Sequence, residues 1–323
     1  MCCRSISWRI LFFMFSLVAW LLAGCAAAPP NPEAAVKDGS GPAQVTVTTG
    51  MVADLVTRIG GNKVQVTQLM GPGVDPHLYK ASEGDVRRIE EADIIFYSGL
   101  HLEGKLEEIL SKIGKQKPVK AVTASLPKEK LLADPAIPEA YDPHVWFDVS
   151  LWMKAAEQVR DDLCAWDPAN QAYYQENTRA YLAELQELEQ YVRGQLATIP
   201  ESQRVMVTAH DAFGYFGRAY EVEVMGLQGI STAAEYGLQD VKQLVDLLVE
   251  RQIKAVFIES SVPRQSIEAV VEGAAARNHQ VVIGGELYSD ALGESGTPEG
   301  TYIGMFKHNV DTIVAALRGT DTR

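Results

Sequence analysis

The chain has 323 residues and a formal charge of −13, with 29 Lys and Arg set against 42 Asp and Glu. An acidic chain without a basic tract excludes nucleic acid as a partner. The length exceeds what one hydrophobic core usually serves, so two lobes are expected.

Arg4 and Arg9 give a short basic start, Ile10 to Leu22 is apolar apart from Ser16, and Ala23-Gly24 precede Cys25. A basic region, a short apolar run and small residues before the cut describe an export signal. The run falls short of the roughly 20 apolar residues of a membrane span. Leu22-Ala23-Gly24-Cys25 resembles the lipobox of bacterial lipoproteins. That resemblance implies a signal peptide over 1-24 and a lipid on Cys25; an ordinary cleaved signal or an anchor helix would compete with it. Residues 25-43, mostly Ala, Pro, Gly and polar, read as a flexible tether. With Cys2 and Cys3 in the signal and Cys25 lipidated, Cys164 stands alone, which excludes a disulfide within one mature chain. Beside Leu163 it reads as a small core residue.

Residues 44-166 alternate strand and helix patterns. Gln44 to Thr48 is a β-rich strand, Met51 to Ile59 a helix ended by Gly60-Gly61, and Val64 to Met70 an alternating strand broken by Gly71-Pro72-Gly73. Ser82 and Asp85 are placed as a capping box for a helix to Glu91. Asp93 to Tyr97 is a strand, Glu103 to Ile113 a helix and Pro118 to Val122 a short strand, followed by a loop from Pro127 to Pro143.

Asp167-Pro168 reads as a helix start, and apolar positions then recur at Tyr174, Tyr181, Leu185, Leu188, Val192 and Leu196 until Pro200. About 30 helical residues would span about 45 Å, enough to run across both lobes, so 167-200 is expected as a linker helix. Residues 201-323 repeat the β/α pattern. Strands are expected at Arg204 to Ala209, Glu221 to Leu227, Ala255 to Glu259 and Gln280 to Leu287. Helices are expected at Ala212 to Tyr220, Leu238 to Gln252, Arg264 to Arg277 and Tyr302 to Arg318. The fold class is therefore α/β: two lobes, each a mostly parallel sheet flanked by helices. In such sheets ligands sit beyond the carboxyl ends of strands.

Four residues fall in positions suited to a site. Asp-Pro-His occurs twice, as Asp75-Pro76-His77 and Asp142-Pro143-His144. The proline fixes one backbone dihedral and restricts the aspartate before it, stiffening the loop that presents each imidazole. His210 ends the apolar run from Val205, and Asp290 follows the strand ending at Leu287. Three imidazoles and a carboxylate suit a divalent transition metal. Asp75 is expected to cap the turn after it, whereas Asp142 either caps or orients the His144 ring. His279 reads as a helix C-terminal residue, His308 as lying on the polar face of its helix, and His101 as ambiguous. Glu259 and Glu286 are candidates for a place behind the ligands.

The segments Gly73 to Tyr79, Asp142 to Trp146, Thr208 to Phe213 and Gly285 to Gly293 resemble the metal-binding lipoprotein family, the manganese/zinc solute-binding proteins of bacterial ABC transporters. Gly226 to Thr232 and Glu259 to Pro263 match the same pattern. The resemblance runs from Val45 to Leu317. It implies two α/β lobes joined by a rigid helix, with the metal at their interface held by His77, His144, His210 and Asp290. It also implies a monomeric protein, lipid-anchored outside the bacterial cell membrane, that passes Zn2+ or Mn2+ to a membrane permease with a cytoplasmic ATPase. The His-His-His-Asp set resembles the subgroup that accepts either metal, and the loop before His144 lacks the His-rich insert of many zinc carriers.

A zinc enzyme is the first competing reading, but catalytic zinc keeps a position open for water, which four protein ligands would fill. No His-Glu-x-x-His or Gly-x-Ser-x-Gly segment occurs. A surface adhesin of the same fold is a second competing reading, and a binder of metal chelates a third. A long connecting helix is expected to limit lobe movement to a small change.

Overall fold

The computed structural model describes residues 41–319. The expected signal peptide, Cys25 and most of the tether lie outside them. Among the described residues no helix is long and apolar enough to cross a membrane.

The N-terminal sheet contains β1 (Ala43–Val47), β2 (Val64–Gln68), β3 (Ile94–Tyr97) and β4 (Val119–Ala121), in the order β2-β1-β3-β4. Every pairing is parallel, with Val45 opposite Val66 on one side and Ile94 on the other. Ala43 is already buried, so the sheet takes over from the tether one residue earlier than expected. Helix α1 (Gly50–Gly60) crosses between β1 and β2. Thr49 caps it by accepting from Val52 N, and Met51, Val52, Leu55, Val56 and Ile59 form its buried stripe. Helix α2 (Glu83–Glu91) carries the expected box: Ser82 Oγ accepts from Asp85 N and Asp85 Oδ2 accepts from Ser82 N. Helix α3 (Glu107–Ile113) begins one turn later than expected, because residues 99–106 form turns first.

Helix α4 (Val149–Trp166) was not anticipated. Asp148 caps it, and Trp152, Ala155, Ala156, Val159 and Leu163 are buried at helical spacing. Helix α5 (Gln171–Leu196) is the expected long helix, 26 residues or about 39 Å. It starts four residues after Asp167, since Pro168–Asn170 form a 3-10 turn and Asp167 Oδ2 accepts from Asn170 Nδ2 and Tyr174 Oη. Its buried positions Tyr174, Thr178, Tyr181, Leu185, Leu188, Val192 and Leu196 include all six expected from the sequence.

The C-terminal half contains β5 (Val205–His210), α6 (Gly214–Tyr220), β6 (Glu223–Gln228), α7 (Leu238–Glu250), β7 (Ala255–Glu259), α8 (Gln265–Ala275), β8 (Val282–Leu287) and α9 (Tyr302–Arg318). The strands form two parallel ladders, β5-β6 and β7-β8, with β5 lying beside β7. At the carboxyl end of that seam His210 N donates to the side chain of Glu259 at 2.8 Å.

One apolar cluster joins the two sides. It runs from Val45, Val47 and Leu55 through Trp152, Tyr181 and Leu185 to Phe213, Phe216, Tyr302 and Phe306. A second cluster holds β5 and β7 against α7 and α8, and a third fills the space among β3, α2 and α3. Close-packed interiors of this kind resist continuous deformation.

Candidate metal centre

His77 and His144 come from loops on the N-terminal side, His210 is the last residue of β5, and Asp290 lies three residues beyond β8. The folding brings the four together: one nitrogen or oxygen from each lies within 4.8 Å of all the others. Their exposures are 5%, 0%, 0% and 1%. His77 Nε2 is 3.4 Å from His144 Nε2 and 3.6 Å from Asp290 Oδ2. His144 Nε2 is 3.2 Å from Asp290 Oδ1, and His210 Nε2 is 3.3 Å from Asp290 Oδ2. Ligands about 2.0–2.1 Å from a tetrahedral ion stand about 3.3 Å apart, close to these four separations.

The donor set also fits an ion chemically. Both Asp290 oxygens and His210 Nε2 are buried without a hydrogen-bond partner, an arrangement that is costly unless something cationic is shared among them. Asp290 turns each of its oxygens toward at least one imidazole, so it is able to bind through either or both.

The two Asp-Pro-His turns share a backbone and differ in their side chains. In each, the aspartate accepts from the histidine N two residues on, at 2.8 Å for Asp75 and 2.9 Å for Asp142. Asp142 Oδ1 also meets His144 Nδ1 at 2.7 Å. Of the two readings left open by the sequence, Asp142 therefore does both. Asp75 turns its other oxygen to Thr232 Oγ1 at 2.6 Å, tying its loop to the one after β6. His77 Nδ1 has no hydrogen-bond partner among the described residues. Behind His210 stands Glu259, with Oε1 on the His210 backbone N and Oε2 2.6 Å from Nδ1, close though out of line for a hydrogen bond. A carboxylate facing Nδ1 keeps the proton there and leaves the Nε2 lone pair for a metal.

Electrostatics separate the three rings. Burial and the neighbouring imidazoles push His77 down to about 3, against the pull of Asp290. Burial would also lower His144, yet the Asp142 and Asp290 carboxylates raise it to about 9. His210 is buried too, and Glu259 and Asp290 raise it well above the usual 6.5. Asp290, despite its burial, is held well below the usual carboxylate range by His210 and His144.

The surroundings fix the loops. Tyr215 Oη donates to the Asp142 carbonyl at 2.8 Å, and Tyr302 Oη donates to the Trp146 carbonyl at 2.6 Å. Trp146 Nε1 donates to the Ser289 carbonyl at 3.1 Å, joining the His144 loop to the Asp290 loop. Asn309 accepts from Tyr288 N and donates to Tyr288 O. A Cβ on Gly226 would lie 2.4 Å from Asp211 N, so only glycine lets β6 pass directly behind His210.

The remaining candidates lie elsewhere. His101 is exposed and pairs with Glu107 at 2.8 Å, outside the cluster. His279 follows α8 as expected and is buried, its Nε2 on the Ile253 carbonyl. His308 lies outside the buried face of its helix and is partly exposed, with Nε2 3.1 Å from the Glu286 carbonyl and the ring packed on Tyr288. Glu286 is exposed and takes no place behind the cluster.

Comparison with known proteins places these features in context. Residues 45–316 match the family described as ZnuA, zinc-uptake complex component A, periplasmic. The chain is 51% identical over 310 residues to the manganese-binding lipoprotein MntA of Bacillus subtilis, covering 96% of this chain and 97% of that one. It is 48% identical over 274 residues to the zinc-binding protein TroA of Treponema pallidum, covering 84% and 88%. The solved structure of the periplasmic TroA superposes with a TM-score of 0.84 over 86% of this chain and 99% of that one.

Proposed function

The chain belongs to the ZnuA family of metal-uptake components, and from that premise we propose that His77, His144, His210 and Asp290 hold one divalent ion as cargo. The protein is the solute-binding lipoprotein of a metal ABC transporter and binds zinc or manganese. The observation that carries the ligand assignment is the convergence of four buried donors, each with a ligand atom within 4.8 Å of the others, with both Asp290 oxygens unpartnered.

The chain's own residues then do three things. Asp142 and Glu259 orient two imidazoles with Nε2 toward the ion. Burial removes competing water. The neutral His77 offers a ring that needs no deprotonation. Four protein donors leave no position for a reacting water, so the site holds its ion rather than using it. A bulky metal chelate does not fit a centre whose donors are all buried. By intrinsic affinity a site with three nitrogens prefers zinc to manganese, and availability decides the cargo in the cell.

The wider reading has a signal peptide over 1-24, a lipid on Cys25 and a tether to 43. Lobes 44-166 and 201-323 flank a linker at 167-200, and the monomeric protein sits outside the cell membrane, handing its ion to a permease driven by a cytoplasmic ATPase. Titration of metal-stripped protein with Zn2+ and Mn2+ in parallel tests the site. One tightly held ion per chain, lost in His77→Ala, is the expected result. Absence of stoichiometric binding overturns the proposal.

A further inference from the structure

Because the four donors are buried, an ion reaches them only where the wall opens, and a large cavity touches the cluster. It has a volume of about 520 Å³ and is bordered by His77 together with Leu100, His101, Ile137, Tyr141 and Ser231. Two other cavities border none of the four donors. At about 30 Å³ per water, an ion with six waters needs on the order of 200 Å³, so the space admits a hydrated ion. Asp134 and Glu139, also on its wall, supply negative charge that favours a cation.

Three observations single out His77 as the donor facing this space. It alone of the four borders the cavity. Its Nδ1 has no hydrogen-bond partner among the described residues, whereas the other two imidazoles face Asp142 and Glu259. The Asp75 carboxylate beside it holds backbone and Thr232 rather than the ring.

The other walls are built to stay. Residues 133–141 are closed at the base by Asp134 N to Ala140 O and by Asp142 N to Leu132 O. Within that segment Glu139 sits at φ 67°, and elsewhere on the wall Leu100 and His101 sit at φ 55° and 66°, conformations that side chains adopt only when their surroundings impose them. Buried Glu103 imposes the last two by accepting from Ser98 N and Gly99 N.

We infer that the cargo ion enters and leaves through this cavity past His77, whose unanchored ring is the donor that yields. The inference rests on the metal-binding reading above. A route residue differs from a ligand in its kinetic signature: narrowing the route slows association and dissociation by the same factor and leaves their ratio, the affinity, unchanged.

The experiment follows Zn2+ uptake and chelator-driven release by stopped flow on the whole protein. Ala140→Trp and Ser231→Trp each add bulk to the cavity wall; Ile137→Ala removes a side chain that is 53% exposed. The tryptophans are expected to slow both rates on the order of tenfold, and Ile137→Ala to quicken both, at constant Kd. Unchanged rates in Ile137→Ala and in whichever tryptophan variant binds one ion, or a change confined to one rate, overturn the route. Failure of the unaltered protein to bind Zn2+ would instead overturn the function itself.

Discussion

Asp75-Pro76-His77 and Asp142-Pro143-His144 are the same three residues in the same turn, yet they arrive at the cluster as different chemical groups. The tripeptide dictates the backbone: an aspartate oxygen accepts from the histidine N in both. What stands around it dictates the rest. Asp142 reaches the His144 ring, and that imidazole holds a proton up to about 9. Asp75 is drawn off to Thr232, and His77, left with burial and two imidazole neighbours, falls to about 3. A local motif therefore sets where a ligand points, and tertiary contacts set how firmly it is held and what it competes with.

The largest expected effect erases the comparison. His77→Ala and His144→Ala each remove one of four donors, and either is expected to weaken Zn2+ binding by roughly 1000-fold, about 4 kcal/mol, as read by competition with a chelator. Retention of full affinity in either would remove that residue from the site.

The pH dependence sharpens the contrast. The raised pKa values of His144 and His210 put a proton on each ring at neutral pH in the metal-free pocket, and a dication replaces both protons without changing the charge. A raised pKa makes the proton a stronger competitor, so affinity should rise with pH until His144 deprotonates near 9. The expected slope between pH 6 and 8 is up to about two decades of Kd per unit. His77, lowered to about 3, adds nothing in that window. A profile flat from pH 5 to 9 would contradict this account of the pocket.

Asp142→Asn is expected to cost about 10–100-fold in affinity and to move the pH profile downward, because the carboxylate behind the ring is gone. Asp75→Asn leaves the His77 ring without any lost contact, and less than about threefold is expected, well short of that range. Equal effects would mean that the two aspartates act alike. Thr232→Ala is the mildest, removing one hydrogen bond for about 1 kcal/mol of stability by thermal or denaturant unfolding, with affinity nearly unchanged.

Much of the fold was legible because its signals are local. Alternating β-branched runs and Gly-Gly or Gly-Pro-Gly breaks located the strands, and Ser82 with Asp85 marked the start of α2. Helix α4 was missed although Asp148 and the Trp152, Ala156, Val159 and Leu163 spacing mark it, because the small Ala155 and Ala156 make its apolar stripe faint. The four clustered residues were legible from strand ends and rigid turns. Glu259 stayed undecided because its role depends on β7 lying beside β5, a pairing no periodicity reveals; an acidic residue ending an apolar strand beside another ligand-bearing strand is the signal to seek. Nothing local to Asp75 or Asp142 forecast their divergence, since Thr232 lies 157 positions from Asp75.

The most direct test is anomalous diffraction from crystals of the zinc-loaded protein. A single zinc peak about 2.0–2.2 Å from His77 Nε2, His144 Nε2, His210 Nε2 and an Asp290 oxygen is the predicted result. A peak elsewhere, or one lacking any of these four contacts, would contradict the four-ligand site.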